Sequence, residues 1–380
     1  MFNLFLFLSL VFASTLVLGR VFERFRVPWV FAALIVGLLF SVFGGNVPEQ
    51  MKLLADLGMF FLLFIIGFEI DIREMRKKGP FIFRASFFIV AVSTVLGAAT
   101  IYWLFGYDPV LSFLVALSFA TVGEAILVPI LDEFRLMRTR LGQALIGIGV
   151  IDDIVEIASL MFAVVLIGSG DIAAAVVSVS VLFFLTLLFS VFEEPLRLRR
   201  YVRKFAVPGI ESLFLFVVFV FFLFLGIGGF SDSSSLAALL AGVALRALIP
   251  EKRLRIVESE VRTMCYGFFA PLFFFWVGST IDFGYIVSYP LAVALVVAAS
   301  AAGKLLGSYI IGRSEFGTRG SLMLGTGLCA RFSISIVIIK ILFDAGLIHQ
   351  DLYSVIVAST VIFTISIPLI FSRMVAKWKV

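Results

Sequence analysis

Apolar residues run in long stretches along the whole chain, and short polar segments separate one stretch from the next. Stretches of about 18 to 26 apolar residues are long enough to cross the hydrocarbon core of a bilayer as helices. The pattern predicts an all-α integral membrane protein. It has thirteen predicted transmembrane helices, near 2–18, 28–44, 51–70, 80–105, 109–132, 140–168, 171–193, 210–229, 234–248, 261–281, 286–312, 319–343 and 352–372.

The charged residues between the apolar stretches indicate a topology. Cytoplasmic loops of membrane proteins carry an excess of Lys and Arg, and here every second polar segment is basic. Most of the 30 basic residues lie in segments 20–26, 73–78, 135–140, 197–204, 246–255, 313–319 and 373–379, whereas the opposite loops contain Lys52. We expect a multi-pass protein of the inner (plasma) membrane with its N-terminus outside and its C-terminus in the cytoplasm.

The composition excludes several classes of protein. With 62% hydrophobic and 14% charged residues, the chain lies far outside the range of soluble domains, so the lipid bilayer is its expected surrounding. The net charge of +5 is spread over several loops, which argues against nucleic acid as a partner. The sequence shows no nucleophile with a nearby base, metal cluster or phosphate loop, so we expect neither an enzyme nor a bound cofactor.

Two short motifs occur twice and indicate an internal repeat. Residues 32–37 read AALIVG and residues 237–242 read AALLAG, while the spacing Phe-x-x-Gly-x-x-Ile-Asp ends at both Asp71 and Asp282. The predicted topology gives the two halves opposite orientations, a feature of secondary transporters. We expect inverted repeats at about 1–168 and 210–380, joined by the helix at 171–193.

The repeat also places two unusual segments opposite each other. Glu124 lies in SFATVGEA and Arg331 lies in GLCARFS, and both segments have small and polar residues in mid-span. Such residues favour helix breaks, which membrane proteins tolerate where the backbone faces protein or a water-filled cavity. We expect two crossed discontinuous helices. Glu124 would then neutralise positive helix N-termini, and Arg331 would neutralise negative C-termini.

Four ionisable residues lie deep in predicted helices, where charge is costly and usually functional. The sequence GVIDDIVE contains Asp152, Asp153 and Glu156, and AGKLLG contains Lys304. Buried carboxylates must be protonated or paired with a cation, which couples their protonation to a nearby cation. We expect Asp152 to pair with Lys304. A static ion pair that only fixes packing is the alternative, and Glu156 fits helix packing or gating as well as ion binding.

Several segments resemble the bacterial cation/proton antiporters of the Kef and NapA type, which are related more distantly to NhaA. The similar segments are RVPWVFAALIVGLLF, ADLGMFFLLFIIGFEIDI, GVIDDIV, LAALLAGVAL, APLFFFWVGSTIDF and AGKLLG. The resemblance covers nearly the whole chain and implies a NapA-like homodimer. It also implies that the six helices at 80–105, 109–132, 140–168, 286–312, 319–343 and 352–372 form a core domain.

The resemblance also implies roles for individual residues. Asp153 would be the principal ion and proton carboxylate, Asp152 the partner of Lys304, and Thr121 and Val122 part of the unwound segment beside the site. The core domain would move like an elevator and exchange sodium, lithium or potassium for protons, and two adjacent aspartates would imply electrogenic exchange. Glu156 departs from the family pattern, because it adds a third carboxylate.

Other functions fit a similar architecture. A potassium efflux channel or uniporter of the Kef type would carry ions without proton coupling. A symporter of the bile-acid type would carry an organic substrate, but such a site needs no buried lysine beside paired aspartates. The residues therefore favour a cation/proton antiporter.

Overall fold

The structure is a computed structural model that describes residues 4–24, 29, 31–45, 47–69, 79–122, 131, 136, 139–167, 210–230, 234–249, 251–331 and 333–378. Within these residues, the regular secondary structure is helical. The helices are α1 (Leu4–Arg24), α2 (Phe31–Val42), α3 (Gln50–Glu69), α4 (Pro80–Phe105), α5 (Pro109–Phe119), α6 (Arg140–Ile167), α7 (Ile210–Gly229), α8 (Ser234–Leu248), α9 (Glu251–Met264), α10 (Ala270–Ser279), α11 (Phe283–Ser288), α12 (Pro290–Gly327), α13 (Ser333–Asp344) and α14 (Gln350–Trp378). A π-helical turn, Cys265–Phe269, joins α9 to α10.

Seven described helices are long and apolar enough to cross a membrane, and α2, α5 and α8 are shorter apolar helices. Helix α6 is also long, with 28 residues, but it carries Asp152, Asp153 and Glu156. These observations confirm an all-helical membrane protein in the described part of the chain. The count of thirteen helices stays a prediction, because the expected span 171–193 lies outside the described residues.

The chain divides into two compact units. The first unit contains Met1–Ser9, Val47–Asp71 and Val164–Trp276. In it, α3 packs directly on α8, since a β-carbon on Gly67 would overlap the carbonyl oxygen of Leu239. Arg246 of α8 also donates to the carbonyl oxygen of Phe68 at 3.0 Å, which satisfies a backbone acceptor near the end of α3.

The second unit contains Leu10–Asn46, Ile72–Ala163 and Val277–Val380. Its main helix pair is α4 and α12, which approach closely because Gly303 and Gly307 of α12 face the backbone of Ser93 and Ile89. Small residues let membrane helices approach backbone to backbone. The unit includes most of the described residues of the six helices that were expected to form a core domain, but residues 164–167 belong to the first unit and Leu10–Asn46 belongs to this one. The expected core domain therefore stays a prediction.

Helix α9 extends into a segment that hydropathy assigned to a loop, whereas the two expected spans on either side of residue 317 meet at a kink. Helix α9 begins at Glu251 and has a charged sequence, but it buries Val257 and Val261, which lie one turn apart on one face. Helix α12 consists of two helices that meet at a kink at Gly317, whose φ of 66° is left-handed, and this kink lies between the expected spans 286–312 and 319–343. In α9, charged residues end the apolar stretch without ending the helix, so hydropathy alone underestimated the length of this helix.

Candidate functional site

Helix α5 ends inside the protein, in a segment where the sequence predicts a break. The helix begins at the cap Asp108, whose carboxylate accepts from the backbone N–H groups of Val110 and Leu111. It ends at Phe119, and the next three residues, 120–122, are buried without being helical. Thr121 donates its hydroxyl hydrogen to the carbonyl oxygen of Ser118 at 3.3 Å, which leaves Thr121 and Val122 beside a helix end within the unit.

A second helix end lies between α12 and α13. Helix α12 ends at Gly327, residues 328–331 are not helical, and α13 begins at Ser333. The carbonyl groups of such a break need partners. Thr364 of α14 donates to the carbonyl oxygen of Arg331 at 3.1 Å, so a neighbouring helix supplies one.

The side chain of Arg331 connects the two helix ends. It is 1% exposed, and its guanidinium carbon lies 5.0 Å from the ring centre of Phe119 and 4.6 Å from that of Phe363. It also donates to the hydroxyl oxygen of Ser300. Because Phe119 is the last residue of α5, these cation–π contacts fix Arg331 beside the first helix end.

A buried ion pair lies on the neighbouring helices. Lys304 of α12 donates from Nζ to Oδ2 of Asp152 on α6 at 3.3 Å. Ser86 of α4 donates from Oγ to Oδ1 of the same carboxylate at 2.5 Å. All three residues have 0% relative exposure. The pair agrees with the expected partnership of Asp152 and Lys304, whereas their role in ion binding stays a prediction.

The close packing of α4 on α12 positions this pair. An ideal β-carbon on Gly303 would lie 2.6 Å from Cα of Ser93, and one on Gly307 would lie 3.0 Å from Cα of Ile89. Lys304 lies between these two glycines in sequence. The glycines therefore bring the part of α12 that carries the lysine charge against α4. Ser300, which contacts Arg331, precedes Lys304 by one helical turn on α12.

Three other predicted site residues are described less fully. Asp153 and Glu156 lie on α6, one and four residues after Asp152, so Glu156 and Asp152 share a helix face. The side chains of Asp153 and Glu156, and the whole of Glu124, lie outside the described residues. In the described part, no group of three or more His, Cys, Asp or Glu side chains is arranged to hold a metal ion.

Sequence reasoning missed Ser86 and Ser300. A serine in an apolar helix is common and carries no charge, so neither residue gave a signal comparable to that of Lys304. Only the packing of α4 against α6 and α12 shows that Ser86 serves the buried carboxylate.

The arrangement is suited to binding competition. Two opposite charges neutralise each other without water, and removal of one partner leaves a charge whose burial costs several kcal/mol. A cation beside the carboxylates can replace the lysine charge, whereas a proton can remove the carboxylate charge. A buried acid and base of this kind can therefore gain or lose a proton only together with a change in the charge that balances it.

Comparisons with known proteins agree with this chemistry. Residues 10–377 match a family described as "Sodium/hydrogen exchanger, transmembrane". A Na⁺/H⁺ antiporter of Enterococcus hirae is 25% identical, with 97% of both chains covered. The Na⁺/H⁺-K⁺ antiporter GerN of Bacillus cereus is 26% identical, with 97% of this chain and 95% of GerN covered.

Among solved structures, the sodium proton antiporter MjNhaP1 from Methanocaldococcus jannaschii has a similar fold. The TM-score is 0.60 at 17% identity, with 98% of this chain and 96% of that chain covered. This likeness shows the fold alone, whereas the family match spans nearly the entire sequence and confirms the family expected from the motifs. The chain therefore belongs to the sodium/hydrogen exchanger family of transmembrane proteins.

Proposed function

We propose that this chain exchanges a monovalent cation for protons across the membrane, with sodium as the cation and lithium or potassium as possible replacements. The observation that carries the proposal is the buried pair of Asp152 and Lys304, which lies between helices of a membrane protein. Ionisable residues at such depth are expensive and usually serve transport. The family match and the names of the antiporters of Enterococcus hirae and Bacillus cereus support the choice of exchange.

Each site residue has a proposed part in the exchange. Asp153 is the carboxylate that binds the cation or a proton, and Asp152 is the partner of Lys304. The Thr121 hydroxyl and the backbone near Val122 supply further oxygen ligands. Three further charged residues support the site. Glu124 and Arg331 neutralise the partial charges of the helix ends, and Glu156 adds a third carboxylate to the charge of the site.

The exchange cycle follows from competition for the same carboxylates. When a cation replaces the proton on Asp153, Lys304 also releases its proton and leaves Asp152. When the cation leaves, Lys304 regains the proton and Asp153 takes another, so two protons cross for one cation and the exchange is electrogenic. A neutralised site crosses the low-dielectric interior at least cost, and the core domain carries it by an elevator movement.

Matched glycine contacts support the proposal of inverted repeats. In one unit Gly67 packs against the backbone of Leu239, and in the other Gly278 packs against the backbone of Leu34. Leu34 and Leu239 are equivalent positions of the repeated AALIVG and AALLAG motifs, and Gly67 and Gly278 are equivalent positions of the second motif. These contacts support the repeat alone. The thirteen helices, the homodimer and the N-terminus outside the cell are proposed from the sequence.

Purified protein in sealed proteoliposomes would test the proposal. A pH-sensitive dye would report proton movement when sodium, lithium or potassium is added, with the membrane potential clamped. Cation-induced proton movement is expected in the wild type and should be lost in Asp153→Asn. Asp108→Asn is the matched control, because an asparagine still caps α5 and lies outside the site.

Three results would contradict the proposal. Cation movement without proton movement would make the chain a channel or uniporter. Full exchange by Asp153→Asn would remove that residue from its assigned role. Equal losses in both Asp→Asn variants would show a general effect of the substitution and not an effect on the site.

A further inference from the structure

The two oxygens of Asp152 have separate donors from two helices. Oδ2 faces the Lys304 ammonium group at 3.3 Å, whereas Oδ1 accepts from the Ser86 hydroxyl at 2.5 Å. The serine bond is the shorter of the two and is within the range typical of a hydroxyl donating to an ionised oxygen. Ser86 is therefore a direct partner of the carboxylate that Lys304 neutralises.

A second serine on the same helix shows that this contact is not a general property of α4. Ser93 lies seven residues after Ser86, is also buried, and faces Gly303 of α12. Its hydroxyl has no hydrogen-bond partner among the described residues. Both serines thus pack inside the unit, but only the Ser86 hydroxyl meets a charge in the described structure.

Charged or titratable groups lie on each helix that supplies a partner to the carboxylate. Lys304 approaches from α12, and Arg331, in the break after α12, donates to Ser300 one turn before Lys304. On α4, Arg84 is exposed and donates to the carbonyl oxygen of Pro80. On α6 itself, the neighbouring positions in sequence are Asp153 and Glu156. When Lys304 gives up its proton, it no longer brings a positive charge to Asp152, whereas the Ser86 hydroxyl still donates to the carboxylate.

We propose that Ser86 is a positioning residue of the exchange cycle. It keeps the Asp152 carboxylate ionised and oriented while Lys304 releases and regains its proton, and it thereby sets the pH range in which the chain exchanges ions. This inference rests on the proposed exchange function. It adds a residue that neither the sequence motifs nor the four buried ionisable residues indicated.

The direction of the effect follows from the hydrogen bond. A donor to the charged form of an acid favours that form, so removal of the Ser86 hydroxyl favours protonation of Asp152. A protonated Asp152 cannot pair with the lysine ammonium group, and exchange then requires a higher pH. One good hydrogen bond to a charged group corresponds to about tenfold in proton affinity, so the acid limb should move by about one pH unit.

The first test compares the pH profiles of three variants in proteoliposomes. Ser86→Ala is expected to shift the acid limb of sodium-driven proton movement about one unit towards alkaline pH. Ser86→Thr keeps a hydroxyl and should restore most of the wild-type profile. Ser93→Ala removes a buried hydroxyl from the same helix without removing a described hydrogen bond, so its profile should match that of the wild type. A Ser86→Ala profile that matches Ser93→Ala would overturn the inference.

The second test does not depend on transport. Thermal unfolding of each variant in detergent would be measured from acidic to alkaline pH. The Ser86 bond stabilises ionised Asp152, so the loss of stability in Ser86→Ala relative to Ser93→Ala should grow as pH rises. A pH-independent difference would refute the role of Ser86. If wild-type protein shows no exchange, the proposed function fails, and this measurement still decides whether Ser86 holds the charge.

Discussion

The contact between Gly303 and α4 gives a sharp prediction about the ion pair. An alanine β-carbon at position 303 would lie 2.6 Å from Cα of Ser93, which belongs to the backbone and cannot rotate away. Ordinary carbon contacts lie at about 3.5–4.0 Å, so Gly303→Ala should push α12 away from α4 by about 1 Å. Overpacking of this kind costs about 1–3 kcal/mol of stability.

The same displacement should disrupt the charged site. Lys304 follows Gly303 directly, and its Nζ already lies 3.3 Å from Oδ2 of Asp152. Movement of α12 by about 1 Å would lengthen this contact beyond ordinary hydrogen-bond distance. We therefore expect Gly303→Ala to lose most cation-driven proton movement, although no charged residue has been changed.

Gly226→Ala is the matched control for this experiment. Gly226 lies in the last turn of α7, and a β-carbon there would meet nothing within 4 Å. Alanine favours helix more than glycine does, so this variant should unfold at or slightly above the wild-type temperature and should transport normally. If Gly303→Ala unfolds and transports like Gly226→Ala, the close approach of α12 to α4 does not position the ion pair.

Three further variants test the charge and the repeat. Lys304→Ala should cost about 3–5 kcal/mol of stability near neutral pH, because it leaves the Asp152 charge buried without its cation, and the loss in unfolding temperature should shrink as acid neutralises Asp152. Gly278→Ala should lower the free energy of unfolding by at least about 2 kcal/mol, since its β-carbon would overlap the backbone of Leu34. Gly67→Ala should lower it by a similar amount if the two contacts are equivalent. Unequal unfolding temperatures in the two glycine variants would argue against the repeat, and an unchanged temperature in Lys304→Ala would argue against a stabilising ion pair.

The sequence predicted the parts of the fold that depend on burial of long apolar stretches. Helix α4 has the same bounds, 80–105, in the prediction and in the structure, because both a proline at its start and a glycine after its end agree with the apolar stretch. The helix end after Phe119 was also visible as a group of small and polar residues. In these segments, local propensity and hydropathy indicate the same boundary.

The sequence was less informative where polar residues continue a helix or serve a distant partner. Helix α9 begins ten residues before the expected span, because Val257 and Val261 are buried while Glu260 and Arg262, between and beside them, are exposed. The charged pair Asp152 and Lys304 was recognisable because buried charges need partners. Ser86 was not, since its role depends on how α4 packs against α6, which no local pattern records.

The packing of the site also limits how it can open during transport. Gly303 and Gly307 hold α12 against the backbone of α4 at two points one turn apart, and Asp152 of α6 is bonded to both helices. Interiors packed this closely resist sliding of one helix past another. A local gate that moved α6 alone would also separate a buried ion pair, at a cost of several kcal/mol. Movement of the three helices as one body avoids both costs, and for this reason we favour an elevator movement over a local gate.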